Sequence, residues 1–304
     1  MPSFIESVIV YTTKPLKGSF SHGNLLLLPS RLREGAHSPY PMRMQFRIES
    51  EKPYYRVSSN NGDLLSKKII ESLYLLSLFS QFHFFDFHKR PKPIKKFSKN
   101  NFKPIKRGKI DWYQDKTFDD DNLEAIIFPE YIELLLDTYS NIQGEVRLHF
   151  RKALYLFNTA INLKPIYPSI SFICMVSAVE TLCQIEFKSD NDLIEECGNC
   201  HSVKSSPWTC GTCSAPLWGI GKKYKLFFSK YCFGNKPTKL DNRFINKVYS
   251  IRSKIVHTGK VLTVDDFWSD EWINWDQSFL QKDLLKATRI SLNNWLLNQT
   301  SANL

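Results

Sequence analysis

The stretch "SISFICMVSAVETLCQIEF", residues 169–187, spaces its apolar side chains by three and four over about five helical turns and contains only two acids, Glu180 and Glu186. Glu180 falls four residues after Val176, three before Cys183 and seven before Phe187, so it lies on the apolar face. A buried carboxylate needs a partner. The helix therefore predicts both a core and a polar tie within it.

The same spacing extends in both directions. Before it come "FPEYIELLLDTYSNI" (128–142) and "GEVRLHFRKALYLFNTAINL" (144–163). After it come "LWGIGKKYKLFFSKYCF" (217–233), "DNRFINKVYSIRSKIVHTG" (241–259) and "FLQKDLLKATRISLNNWLLNQ" (279–299). Pro165 and Pro168 separate the second helix from the third, and Gly259 is a stop signal for the fifth. These patterns predict a helical domain over residues 126–304.

Upstream the texture changes. "MRMQFRIE" alternates strictly, with Met42, Met44, Phe46 and Ile48 on one face and Arg43, Gln45, Arg47 and Glu49 on the other, which predicts a half-buried strand. "SVIVYT" (7–12) and "YYRVSS" (54–59) are weaker companions, and a helical pattern runs over 65–82. Residues 1–125 thus read as a strand-containing region, and the fold class as α+β: this region followed by an all-α domain.

At 304 residues, with 42% apolar, 23% charged and 14% aromatic side chains, the chain has the composition of a globular protein and not of a disordered one. "MPSFIESVIVYTTK" lacks the basic start and cleavage site of a signal peptide, and apolar runs such as "LLLL" at 25–28 fall short of the roughly 18 residues that span a bilayer. The expectation is a cytoplasmic protein without a membrane partner, its seven cysteines being thiols or metal ligands.

The formal charge is +11. Residues 89–109, "KRPKPIKKFSKNNFKPIKRGK", hold ten Lys or Arg and no acid; without them the chain carries 31 basic and 30 acidic residues. With three prolines and no apolar periodicity the segment reads as a linker or long loop. It is either a solvated charge run or an arm that follows nucleic-acid phosphates.

Between the third and fourth helices of the domain lies "CGNCHSVKSSPWTCGTC", which places Cys197, Cys200, Cys210 and Cys213 in two C-x2-C pairs. Each pair brings two thiolates together from one tight turn, and two such turns make the closed tetrahedral sulfur site suited to zinc. A small zinc-knuckle insert over 195–216 follows, with His201 a neighbour of the metal. The zinc has a structural or docking role, since four thiolates leave no open position. Cys174, Cys183 and Cys232 fall in apolar patterns and read as core residues.

In "SIRSKIVHTGK" (250–260) four residues separate Arg252 from His257. Five helical steps set them roughly 140° apart, so the pair alone suits an ordinary surface helix with a histidine near its C-terminus. Its setting is more specific. Arginine, four residues, then histidine near the end of the penultimate helix of a helical domain resembles the R-x4-6-H motif of HEPN ribonucleases. The flanking "VYSIRSKIVHTGK" and the earlier "FICMVSAVETLC" with Glu180 resemble in particular the Apea-like, abortive-infection group. The resemblance covers roughly residues 128–300.

It implies metal-independent endoribonuclease activity at a composite site across a homodimer, in antiphage defence or as a toxin, with an antitoxin or a phage-derived activator as further partner classes. His257 would exchange protons with the ribose 2′-hydroxyl and the leaving 5′-oxygen, and Arg252 would hold the scissile phosphate. Ser253 stands where many HEPN enzymes carry Asn or Asp and can donate a hydrogen bond to phosphate. Glu180 is the candidate to orient Arg252, the alternative being a structural tie to another helix. Gly259 stands where some HEPN toxins carry a tyrosine that a paired nucleotidyltransferase modifies, a control this chain lacks. Two alternatives stay open: a non-catalytic HEPN protein that binds RNA or protein through the basic segment and knuckle, and a zinc-dependent DNA-binding regulator.

Overall fold

A computed structural model describes residues 3–30, 40–49, 62–80, 82–85, 92–94, 103–108, 125–187, 200–202, 210–214, 220–234, 236–259, 261–262 and 275–301. The chain is α+β and forms two compact units, Met1–Asp137 and Thr138–Leu304.

The first unit is built on an antiparallel sheet. Strand β1 (Ser3–Thr12) pairs along its whole length with β4 (Tyr40–Glu49), and β4 pairs in turn with β3 (Leu25–Pro29), which forms a hairpin with β2 (Phe20–His22). As alternation predicts, Met42, Met44 and Phe46 are buried while Arg43 and Arg47 are exposed. Gln45 departs from the pattern and is wholly buried. It pairs with Leu26, and Leu26, Leu27 and Leu28 are all buried, so this part of the sheet is covered on both faces. "YYRVSS" lies outside the described residues.

Helix α1 (Gly62–Ser80) leads into β5 (Phe84–Phe85), which pairs with the free edge of β1. The Ser77 hydroxyl joins helix to strand by accepting the Phe84 N–H at 2.9 Å.

The basic segment is not a linker in its described parts. Lys92–Ile94 forms β6, antiparallel to β1, and Arg107–Gly108 forms β7, parallel to β8 (Phe128–Pro129). Between these, Ile105 is buried and donates its N–H to Ser19 O at 2.9 Å, while the Ser19 N–H donates to Lys103 O, in front of Gly18. A Cβ at Gly18 would stand 2.8 Å from the Ile105 backbone, so only glycine admits the passing chain. Phe128 packs edge-on against Phe20 at 4.8 Å, and Arg107 lies over the same Phe20 ring while pairing with Glu133 at 2.7 Å. Residues up to 137 therefore belong with the sheet, and the boundary falls inside α2 (Ile132–Asn141) instead of at 125.

The second unit is helical. Helices α3 (Gly144–Leu163), α4 (Pro168–Glu186), α5 (Ile220–Tyr231), α6 (Lys239–Thr258) and α7 (Trp275–Ser301) match the periodic stretches to within a few residues. Helix α4 packs on all four others and is central. That position explains its composition: it is the one helix among the described residues long and apolar enough to cross a bilayer, and it spends that apolar surface on its neighbours.

At its C-terminal end α4 is tied down through Glu186. One carboxylate oxygen accepts from Lys230 Nζ and the Tyr231 hydroxyl, both at 2.6 Å, and the other from Trp295 Nε1 at 2.8 Å. Trp295 stacks on Phe150 with ring centroids 5.9 Å apart, so one acid links α4, α5 and α7 beside α3. Replacing Glu186 with alanine would strand the Tyr231 and Trp295 donors. We expect a loss of about 2–4 kcal/mol, read as a lower denaturation midpoint, with Glu186→Gln retaining part of it.

Candidate functional site

Helix α6 is fixed at both ends. Thr238 caps its start: the Thr238 hydroxyl accepts the Asp241 N–H at 3.2 Å, and the Asp241 carboxylate accepts the Thr238 N–H at 2.7 Å. At the far end Gly259 takes a left-handed conformation (φ 69°) and returns its N–H to Ile255 O. Ile245 and Val248 are its fully buried anchors. With those inward, Arg252, one turn on from Val248, comes down beside α4.

There it meets Glu180. Arg252 Nη2 donates to Glu180 Oε2 at 3.1 Å, and both side chains are largely buried. The guanidinium carbon stands 5.7 Å from the centre of the Tyr249 ring, which closes one side of the pair. Arg252 Nε and Glu180 Oε1 are buried without a hydrogen-bond partner among the described residues. The pair is thus a single contact and not a two-pronged fork, leaving donor capacity on the arginine.

The surroundings are aromatic. Tyr249 lies against Tyr224 of α5, with centroids 5.5 Å apart. Burial, then the Glu180 charge, raise the Tyr249 pKa; for the wholly buried Tyr224 burial comes first and the Cys183 and Glu180 charges add to it. Both phenols stay neutral at pH 7.

His257 is on the last turn of α6, exposed, and Ser253 is half-buried, about 100° around the helix from Arg252. The structure therefore brings Arg252 and Glu180 together and does not bring His257 to them. Within one chain the arginine and histidine are separated by roughly 140° of rotation and about 7.5 Å of rise.

Two residues beside the Glu180–Arg252 pair were not singled out in the sequence, Tyr249 and Gly221. A Cβ on Gly221 would meet the Tyr249 ring at 2.7 Å, so α5 approaches α6 closely only because this position is glycine. A glycine within a helical pattern was the available signal. Gly221→Ala should displace the Tyr249 ring and cost about 1–3 kcal/mol, visible as a lower melting temperature and altered tyrosine fluorescence.

The second cluster is sulfur. Cys200, Cys210 and Cys213 have their Sγ atoms all within 4.8 Å of one another, and Cys200 and Cys210 are 3.4 Å apart. The backbone N–H groups of Thr212 and Cys213 point at Cys210 Sγ at 3.4 Å, and Ser202 Oγ lies 3.2 Å from it. The Ser202 hydrogen bond, with those amides, brings the Cys210 thiol down to about 5. A thiolate at neutral pH with two converging neighbours can hold a metal ion. His201 adopts φ 57° beside them and is exposed. Cys197 lies outside the described residues. Of the remaining cysteines, Cys183 and Cys232 are buried and Cys174 is half-buried; burial raises the pKa of all three.

No family model, curated protein or solved structure matches the chain.

Proposed function

We propose that residues 138–304 form an endoribonuclease of HEPN type, acting as a homodimer in antiphage defence or as a toxin, with a structural zinc in the thiol cluster. One observation carries the reading. Glu180, alone on an apolar helix face, holds Arg252 at 3.1 Å, while the histidine five residues on is exposed on the last turn of the same helix. A structural ion pair explains the first half; the histidine at R-x4-H spacing is what the ribonuclease reading adds to it.

In this reading His257 accepts the proton of a ribose 2′-hydroxyl or delivers one to the departing 5′-oxygen. Arg252, permanently charged, binds the scissile phosphate through the N–H groups that Glu180 leaves open. Ser253 adds a hydroxyl donor toward the phosphate. Glu180 is a positioning residue: it offsets the guanidinium charge in the unliganded protein and anchors one of its terminal nitrogens. The 140° between Arg252 and His257 is bridged if a second copy of α6 approaches across a two-fold axis, so that the histidine of one protomer and the arginine of its partner face one phosphate. Zinc, when bound by Cys200, Cys210, Cys213 and Cys197, stabilises the segment between α4 and α5; no step of the cleavage passes through it.

The test uses purified protein with single-stranded RNA and with DNA of the same sequence, both in EDTA. RNA should be cut to products ending in a 2′,3′-cyclic phosphate, and DNA, which lacks the attacking hydroxyl, should remain whole. Uncut RNA, or products ending in a free 3′-hydroxyl, would overturn the reading.

A further inference from the structure

The overall charge balance hides a second basic block. Residues 220–258, covering α5 and α6, carry ten Lys or Arg against a single acid, Asp241, and the acids that offset them lie elsewhere in the chain. Asp241 is committed to the Thr238 cap. Of the ten cations, Arg252 is turned inward to Glu180, Lys223 is buried and donates to Phe187 O at 3.1 Å, and Lys230 pairs with Glu186. The others face solvent.

On α6 these residues form a row. Lys239, Arg243, Lys247 and Lys254 are exposed and repeat at four, four and seven, so they lie along one side of the helix, spanning about 22 Å. Asn246 and Ser250, also exposed, stand between them, and the row runs to His257. Lys225 adds a further exposed cation from the adjoining α5. Fixed charges along a line with amide and hydroxyl donors between them suit a chain of phosphates.

A lipid surface fits less well. Membrane-bound helices bury a continuous apolar face. Here the exposed apolar residues of α6 are Leu240 and Val256, which lie roughly 160° apart around the helix. They cannot enter one bilayer surface together.

We infer that the exposed face of α6, from Lys239 to Lys254, is the track that binds single-stranded RNA and leads it to His257. The inference rests on the ribonuclease reading for the direction of the track, but binding can be measured without cleavage.

The experiment is RNA binding by the His257→Ala protein, followed by fluorescence anisotropy of a labelled oligonucleotide across a salt series. In that background Lys239, Arg243, Lys247 and Lys254 are all changed to Gln. A control changes Arg151 and Lys152, exposed on α3, to Gln. The α6 variant should bind at least tenfold more weakly at low salt, with the slope of log K against log salt shallower by about 2–3, four contacts at ~0.7 each. The α3 control should bind as the parent does. Unchanged affinity and slope in a folded α6 variant would overturn the inference, as would loss only when the cations of 89–109 are replaced. Binding of phosphatidylserine vesicles in preference to RNA would overturn it in favour of a membrane. If the parent binds RNA through α6 yet wild type cuts none, the track stands and the catalytic reading falls.

Discussion

Replacing His257 with alanine should lower RNA cleavage by about 10²–10⁴-fold, the range for removing a general acid or base, while leaving the melting temperature within a degree or two of wild type. The fold is indifferent because the side chain is exposed on the final turn. Arg252→Ala should cost about 10²–10³-fold through loss of charge stabilisation at the phosphate, and it should also destabilise the helical unit, since Glu180 is then buried without its cation. Arg252→Lys separates these effects. It restores a charge near Glu180 and most of the stability, but a point charge replaces the planar fork, so activity should stay low. Glu180→Gln keeps shape and loses the ion pair; the phosphate binder is still present, so we expect a smaller fall, expressed in KM more than in kcat. Equal cleavage by wild type, His257→Ala and Arg252→Lys would remove the basis for the assignment.

The Glu180–Arg252 pair was legible in the sequence because it follows from a prohibition: a carboxylate on an apolar helix face cannot stay unpaired, and α6 offered an arginine at the right level. The helices were legible for a similar reason. Gly144, Pro165 and Pro168 punctuate α3 and α4, and α3, α5 and α6 each keep one buried face, whose period a single chain records. What was not legible depends on partners distant in sequence. The strand Leu25–Pro29 has no alternation because both its faces are covered, so its pattern resembles a short apolar run. "KPI" at 92–94 has neither strand propensity nor pattern; β1 supplies the order. The domain boundary moved from 125 to 137 because Phe128 fills a space beside Phe20 and Phe84, a contact across more than a hundred residues. Charge bookkeeping misled in another way. Subtracting one basic block left a sum near zero, and the sum concealed a second block on α5 and α6.

Protein purified without chelator should carry one zinc per chain, and Cys210→Ser should carry none. Around a zinc with bonds of about 2.3 Å, sulfurs at tetrahedral corners lie ~3.8 Å apart, and Cys200, Cys210 and Cys213 are already close to that spacing. Cys210 is the most consequential of the three because it is buried and its sulfur receives the Thr212 and Cys213 amides; serine offers a smaller, harder donor that stays protonated. If Cys197→Ser keeps the metal while Cys210→Ser loses it, the fourth ligand is another group. The pH dependence has a definite sign. A thiol held at about 5, below its ordinary value, favours the folded turn fully above the ordinary thiol pKa, and that contribution is lost as pH falls through about 5. Protons compete with metal for the same sulfurs, so zinc should survive dialysis at pH 7 and be released as the pH is lowered into the acid range. Metal analysis after dialysis at stepped pH reads this directly; zinc lost already at neutral pH, or retained by Cys210→Ser, would refute the site. The bundle should melt at nearly the same temperature after chelation, because Glu186 joins α4 to α5 and α7 through its own hydrogen bonds, independently of the sulfur cluster.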